Sequence, residues 1–214
     1  MICSDGYCEK EKTFIFSHLL PKADGYPNHL RNVKEQVSQD QTLNDENDQL
    51  KSHHARMNLK RMSRWDKVLE IEPDFSEYLE SIDVSLTFLV ISEAWCGDAA
   101  HVLPLMNKMS NLNPSFSLKI LLRDEHPELM NAYLTNGNKS IPIVIVLKNK
   151  GGIEKELFHW GPCPEKITDL KKKYKLGEIF NNQDELLEAI HSWYNNDKSV
   201  SMQRELFSLF KQST

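Results

Sequence analysis

The run Leu86-Thr87-Phe88-Leu89-Val90-Ile91 limits the possible folds more than any other segment of the chain. It is continuously apolar, as a strand covered on both faces must be. A short polar turn follows, then Ala99, Val102-Leu103, Met106 and Met109 recur at helical spacing. A helix is therefore expected from about Cys96 to Ser110. Phe116–Leu122 reads as a second strand, and Pro127 opens a helix extending to a C-cap at Gly137. Ile141–Leu147 is a third strand. A turn at Asn149–Gly152 joins it to a fourth, Ile153–Trp160, and a helix runs on to about Lys175. The order β-α-β-α-β-β-α predicts an α/β layer with a parallel first pair of strands and an antiparallel closing hairpin.

The flanks are helical or irregular. Residues 1–43 form a poorly determined segment in which Thr13–Phe16 reads as a short strand. Residues 44–79 form a helical extension, with Leu50, Met57, Met62, Trp65 and Val68-Leu69 as its packing face and a restart at Pro73. Residues 80–176 hold the α/β core, and 177–214 form two terminal helices at about 184–195 and 200–211.

Lys plus Arg number 26 against 31 for Asp plus Glu, a net charge of −5. The only basic run is Lys171–Lys173, so no nucleic-acid surface is expected. No apolar stretch is long enough for a membrane helix, and residues 1–6 lack the basic and apolar regions of a signal peptide. A cytoplasmic location follows as the expectation, with the four cysteines (3, 8, 96 and 163) as thiols.

Chemistry concentrates at Trp95-Cys96-Gly97-Asp98-Ala99, between the first strand and its helix. A helix N-terminus favours a thiolate through its dipole and its unpaired N–H groups. The polar Gly97-Asp98 turn argues for a cysteine at the surface. Asp98 and Glu93 oppose the thiolate by charge, and Asp98 is a candidate helix cap or a selector of basic substrates.

This segment resembles the thioredoxin active site, in which Trp-Cys-Gly-x-Cys begins the helix after a central strand. Pro104, eight residues after Cys96, resembles the proline that kinks that helix, and Ser140-Ile141-Pro142 resembles the cis-proline loop. The resemblance spans about residues 80–176, and the flanking helices are similar to a larger bacterial thioredoxin-like subgroup with a Trp-Cys-Gly-Asp site. It implies a thioredoxin-like α/β fold: a central mixed sheet flanked by helices, with N- and C-terminal helical extensions. It also implies Cys96 as the attacking thiolate, with Trp95, Gly97 and Asp98 on the docking surface. The Ile141 backbone would pair with an extended substrate, and Pro142 would be cis. No cofactor or metal is implied. Partners would be protein disulfides or thiol-containing proteins, with a low-molecular-weight thiol as a further candidate.

The chain departs from the family where the mechanism is decided. Ala99 stands where a dithiol thioredoxin has its second cysteine, and Val90 stands where many bury an aspartate. Alanine cannot resolve a mixed disulfide. Three readings stay open: Cys96 as a monothiol, Cys163 as the resolving thiol, or a redox-inactive protein-binding module. A peroxide-reducing site fits worse, because Glu93 occupies the position where such sites carry a threonine. His53, His54 and His101 are expected at the surface, and Cys3 and Cys8 as exposed thiols.

Overall fold

The computed structural model describes residues 9–39 and 45–213. Cys3 and Cys8 lie outside them. The chain divides into two units, Met1–Pro162 and Cys163–Thr214.

The first unit is built on a four-stranded sheet in the order β2-β1-β3-β4. Its strands are β1 (Leu86–Ser92), β2 (Phe116–Leu122), β3 (Ile143–Lys150) and β4 (Ile153–Trp160). β1 pairs parallel with β2, from Leu86 opposite Phe116 to Ser92 opposite Leu122. It pairs antiparallel with β3, and β3 with β4. Every residue of β1 is buried, which explains why all but Thr87 and Ser92 are apolar. The β3–β4 turn is Gly151-Gly152, with both residues at positive φ, where a side chain would be strained.

Among the described residues, this unit also holds α1 (Glu9–Leu19), α2 (Tyr26–Ser38), α3 (Glu46–Val68), α4 (Pro73–Glu80), α5 (Ala99–Ser110) and α6 (Pro127–Asn131), with a 3-10 turn at Leu20–Lys22. α5 packs on β1 and β2, α3 lies across α5, and α2 lies against α3 and β2. Asp24 bridges to Ile120 through hydrogen bonds of 3.0 and 2.8 Å, which satisfies part of the β2 edge. Asp45 starts α3 by accepting from the Asn47 and Asp48 amides at 2.9 and 3.1 Å.

Several sequence expectations change. Thr13–Phe16 is not a strand but part of α1, which packs on β4 and buries Phe16 and Leu19. The helix opened by Pro127 ends at Asn131, well short of Gly137. On α3 the buried positions are Ser52, Ala55, Asn58, Met62 and Trp65, whereas Leu50, Met57 and Val68 are exposed. The 3.6-residue period set by Met62 and Trp65 carries Asn58 inward and turns Met57 and Val68 away.

A half-buried carboxylate of β4 helps tie down α1. Glu156 on β4 accepts from Tyr133 Oη at 2.6 Å and from Lys12 Nζ of α1 at 3.1 Å, and His159 Nδ1 lies 2.8 Å away. Burial alone would raise this carboxyl. The His159 and Tyr133 bonds and the Lys12 ammonium outweigh burial and hold it at about 2, against an ordinary 4.5. A depressed carboxyl contributes stability above its unfolded pKa and loses it as pH falls through the folded one. About 3 kcal/mol is therefore expected to disappear between pH 4.5 and about 2. Urea titrations across that range should show the loss in the wild type and little of it in Glu156→Gln. Equal pH dependence of the two proteins would remove Glu156 as the cause.

The second unit holds α7 (Glu165–Lys175), α8 (Gln183–Asp197) and α9 (Val200–Ser213). Ile167 of α7, Leu186, Ile190 and Tyr194 of α8, and Met202, Leu206 and Phe210 of α9 are buried. Asn182 caps α8 by accepting from the Glu185 amide at 3.0 Å.

Candidate functional site

β1 ends at Ser92, and the chain turns twice before α5 starts at Ala99. The first turn closes on a 3.1 Å bond from the Cys96 amide to the Glu93 carbonyl. The second lies at Gly97-Asp98, and the Asp98 carbonyl then accepts the opening bonds of α5 from His101 and Val102 at 3.0 and 3.2 Å. Cys96 thus precedes the helix by three residues instead of opening it. The Asp98 side chain makes no capping bond, which removes it as the cap considered above.

Cys96 is also not at the surface: its relative exposure is 7%. The turn is polar, but the thiol points inward and donates to the Ile141 carbonyl at 3.4 Å. Ile141 is buried, and its peptide bond to Pro142 is cis. A thiolate cannot make that donation, so ionisation of Cys96 frees the Ile141 carbonyl for another donor. The sequence-selected residues Cys96, Ile141 and Pro142 therefore meet, with Trp95, Gly97 and Asp98 half-buried on the same turn.

Close backbone packing holds the Ile141–Pro142 segment. Gly161 follows β4 with φ +134, and a Cβ there would fall on the Pro142 carbonyl oxygen and lie 3.3 Å from Ile143 Cα. Only glycine admits this approach.

Three further anchors of the turn were not read from the sequence. Asn58 of α3, buried to 1% exposure, donates to the Ala94 carbonyl at 2.9 Å, and its Oδ1 accepts from Arg61 at 2.8 Å. Trp65 of α3 donates its indole N–H to His101 Nδ1 at 2.7 Å, which places the ring proton of that histidine on Nε2. His101 is buried, contrary to expectation, because it lies where α3 crosses α5. Arg123, just past β2, lays its guanidinium over the Trp95 ring at 4.8 Å and donates to Asp124 at 2.8 Å. The one legible signal was Asn58, a polar residue on the inward period of α3.

Glu93 lies half-buried beside this cluster, and its Oε1 accepts from the Asp124 amide at 2.9 Å. Burial above all raises its carboxyl, with help from the charges of Asp124 and Glu125. The Asp124 amide and Arg123 pull the other way.

Cys163 opens the second unit as a buried thiol. Its Sγ lies 3.5 Å from Thr168 Oγ1 and 3.6 Å from Lys171 Nζ. Among the described residues no three His, Cys, Asp or Glu side chains gather as a metal site. Among them too, no helix is long and apolar enough to cross a membrane.

A family model described as Thioredoxin matches residues 44–175. Among solved structures, a protein of unknown function from Pseudomonas aeruginosa is 17% identical with a TM-score of 0.56. The match covers 74% of this chain and 86% of that one. An HIV epitope-scaffold is 14% identical with a TM-score of 0.60, over 93% of this chain and 99% of its own. At these identities the two likenesses speak for the fold. No curated protein matches. The family match covers more than half of the sequence and the sheet that carries the Cys96 turn, so the chain belongs to the thioredoxin family and has a thioredoxin-like fold.

Proposed function

We propose that this chain is a thiol-disulfide exchange protein that works through Cys96 as a monothiol. The observation that carries the reading is the 3.4 Å contact of Cys96 Sγ with the Ile141 carbonyl, next to Pro142. It joins the one thiol of the turn to a backbone segment suited to pairing with an extended partner. Ala99, the first residue of α5, offers no local resolving thiol.

The Cys96 proton passes to solvent, and the thiolate attacks one sulfur of a protein disulfide. The Cys96–sulfur bond forms as the substrate S–S bond breaks, and the expelled thiolate takes up a proton. A low-molecular-weight thiol then attacks the Cys96 sulfur, releasing the second protein thiol and capping Cys96. A second such thiol removes the cap as a small-molecule disulfide. The substrate disulfide is reduced by two electrons and two small thiols are oxidised. A cytoplasmic compartment, where thiols are kept reduced, suits this cycle. A redox-inactive capture module of the same fold is the competing reading, favoured by the burial of Cys96.

Insulin-disulfide reduction by wild type, Cys96→Ser and Cys163→Ser, with glutathione as reductant, tests the proposal. Activity that vanishes in Cys96→Ser and survives in Cys163→Ser is expected. Strong impairment of both variants would make Cys163 the resolving thiol. No rate above the glutathione background in the wild type would end the redox reading in favour of capture.

A further inference from the structure

On the β2 side of the reactive turn a cavity of about 400 Å³ opens. Its wall includes Glu93 and Trp95, which follow β1, and Asp124, which follows β2. Open α/β sheets bind ligands at this place, beyond the carboxyl ends of parallel strands. The rest of the wall comes from α2 and its end and from α3, including Gln39, Asp48 and Lys51.

The charges are unequal. Asp48, Glu93 and Asp124 face Lys51, which stands 4.0 Å from Asp48, while Asp124 is engaged by Arg123 at 2.8 Å. Counting Arg123, which also acts on Glu93, three carboxyl groups stand against two cations among the described residues, so the negative charge is in excess by one. A further cation entering the cavity would meet the Glu93 carboxyl and the aromatic surface of Trp95, which attracts cations. An acidic group would meet that excess of negative charge. The wall ends at Trp95, one residue before Cys96. A long side chain a few residues from a cysteine held at Cys96 is within reach, since extended chain advances roughly 3.3–3.6 Å per residue.

We propose that this cavity is a specificity subsite for a lysine or arginine side chain of the protein whose cysteine reacts at Cys96. The inference rests on the thiol-exchange reading for the position of the substrate. The preference for a cation rests on the cavity alone.

The test uses the full chain carrying Cys96→Ser, so that no covalent bond forms. Two fluorescein-labelled nonapeptides with a central S-methylcysteine differ only in carrying Arg or Glu on both sides of it. Anisotropy should show the Arg peptide binding roughly tenfold tighter, a difference that shrinks as salt is raised. Adding Glu93→Gln, which keeps an oxygen for the Asp124 amide, should remove most of the preference, and Asp48→Asn should reduce it. Both variants are checked for unchanged melting temperature. Equal binding of the two peptides, or a preference untouched by Glu93→Gln, overturns the subsite. Turnover by the unmodified chain of the same peptides, made as cysteine disulfides, separates the two claims. Turnover without an Arg preference sinks the subsite and leaves the exchange reading standing. An Arg preference in binding with no turnover of either peptide does the reverse.

Discussion

Replacing Gly161 by alanine is expected to cost about 3–5 kcal/mol of stability. Two effects add. At φ +134 an L-residue is strained, and its Cβ would land on the Pro142 carbonyl oxygen. The obstruction is backbone on both sides, Pro142 O and Ile143 Cα, so no side-chain rotation relieves it. β3 begins at Ile143, so the displacement is borne by the Ile141–Pro142 segment that Cys96 contacts. Melting temperature should fall by roughly 10 °C, at about 2–4 °C per kcal/mol for a chain of this size. Cys96 should also alkylate faster with iodoacetamide, because its thiol loses a well-placed acceptor. A variant that melts within about 2 °C of the wild type would show that the two backbones are not this close.

Trp65→Ala is expected to cost a similar amount, about 3–5 kcal/mol, by emptying a site where the indole is 2% exposed. Trp65→Phe separates packing from polarity. It keeps most of the apolar contact but removes the N–H that His101 Nδ1 accepts at 2.7 Å. A buried acceptor left without its donor costs about 1–3 kcal/mol. The double variant Trp65→Phe/His101→Leu should recover part of that loss, since both polar partners are then gone. Urea unfolding of the wild type, Trp65→Phe, His101→Leu and the double variant gives the coupling. A coupling near zero would mean that the hydrogen bond contributes nothing beyond packing. His101 lies in the first turn of α5, so both Trp65 variants should also change the alkylation rate of Cys96.

The two variants probe the turn from opposite sides. Gly161 acts through β3 and the Ile141 carbonyl, and Trp65 acts through α3 and α5. Asn58 adds a third hold on the Ala94 carbonyl, two residues before the thiol. Val33 of α2 and Ala55 of α3 also pack with Ala94 in one buried cluster. The helices ahead of the sheet therefore serve the site, fixing the backbone on which Cys96 is carried.

The architecture was legible in the sequence because its signals are local. A strand buried on both faces must read as a largely apolar run, as β1 does between Leu86 and Ile91. Two glycines between alternating residues must read as a hairpin, as Gly151-Gly152 does. The short distances from Trp95 to Asp98 and from Ile141 to Pro142 likewise kept the candidate site in view. What only the tertiary structure decided depends on contacts between residues far apart in the chain. The depth of Cys96 follows from Ile141, 45 residues away, not from its polar neighbours Gly97 and Asp98. Thr13–Phe16, strand-like by composition, is helical because α1 packs on β4 and its Lys12 meets Glu156, 144 residues on. Burial of His101 depends on the crossing of α3 over α5, and its ring stays inside because Trp65, 36 residues back, supplies a proton donor. Local propensity and periodicity determine which elements form. Desolvation and the pairing of buried polar groups, which no window of sequence contains, determine where the Cys96 thiol finally sits.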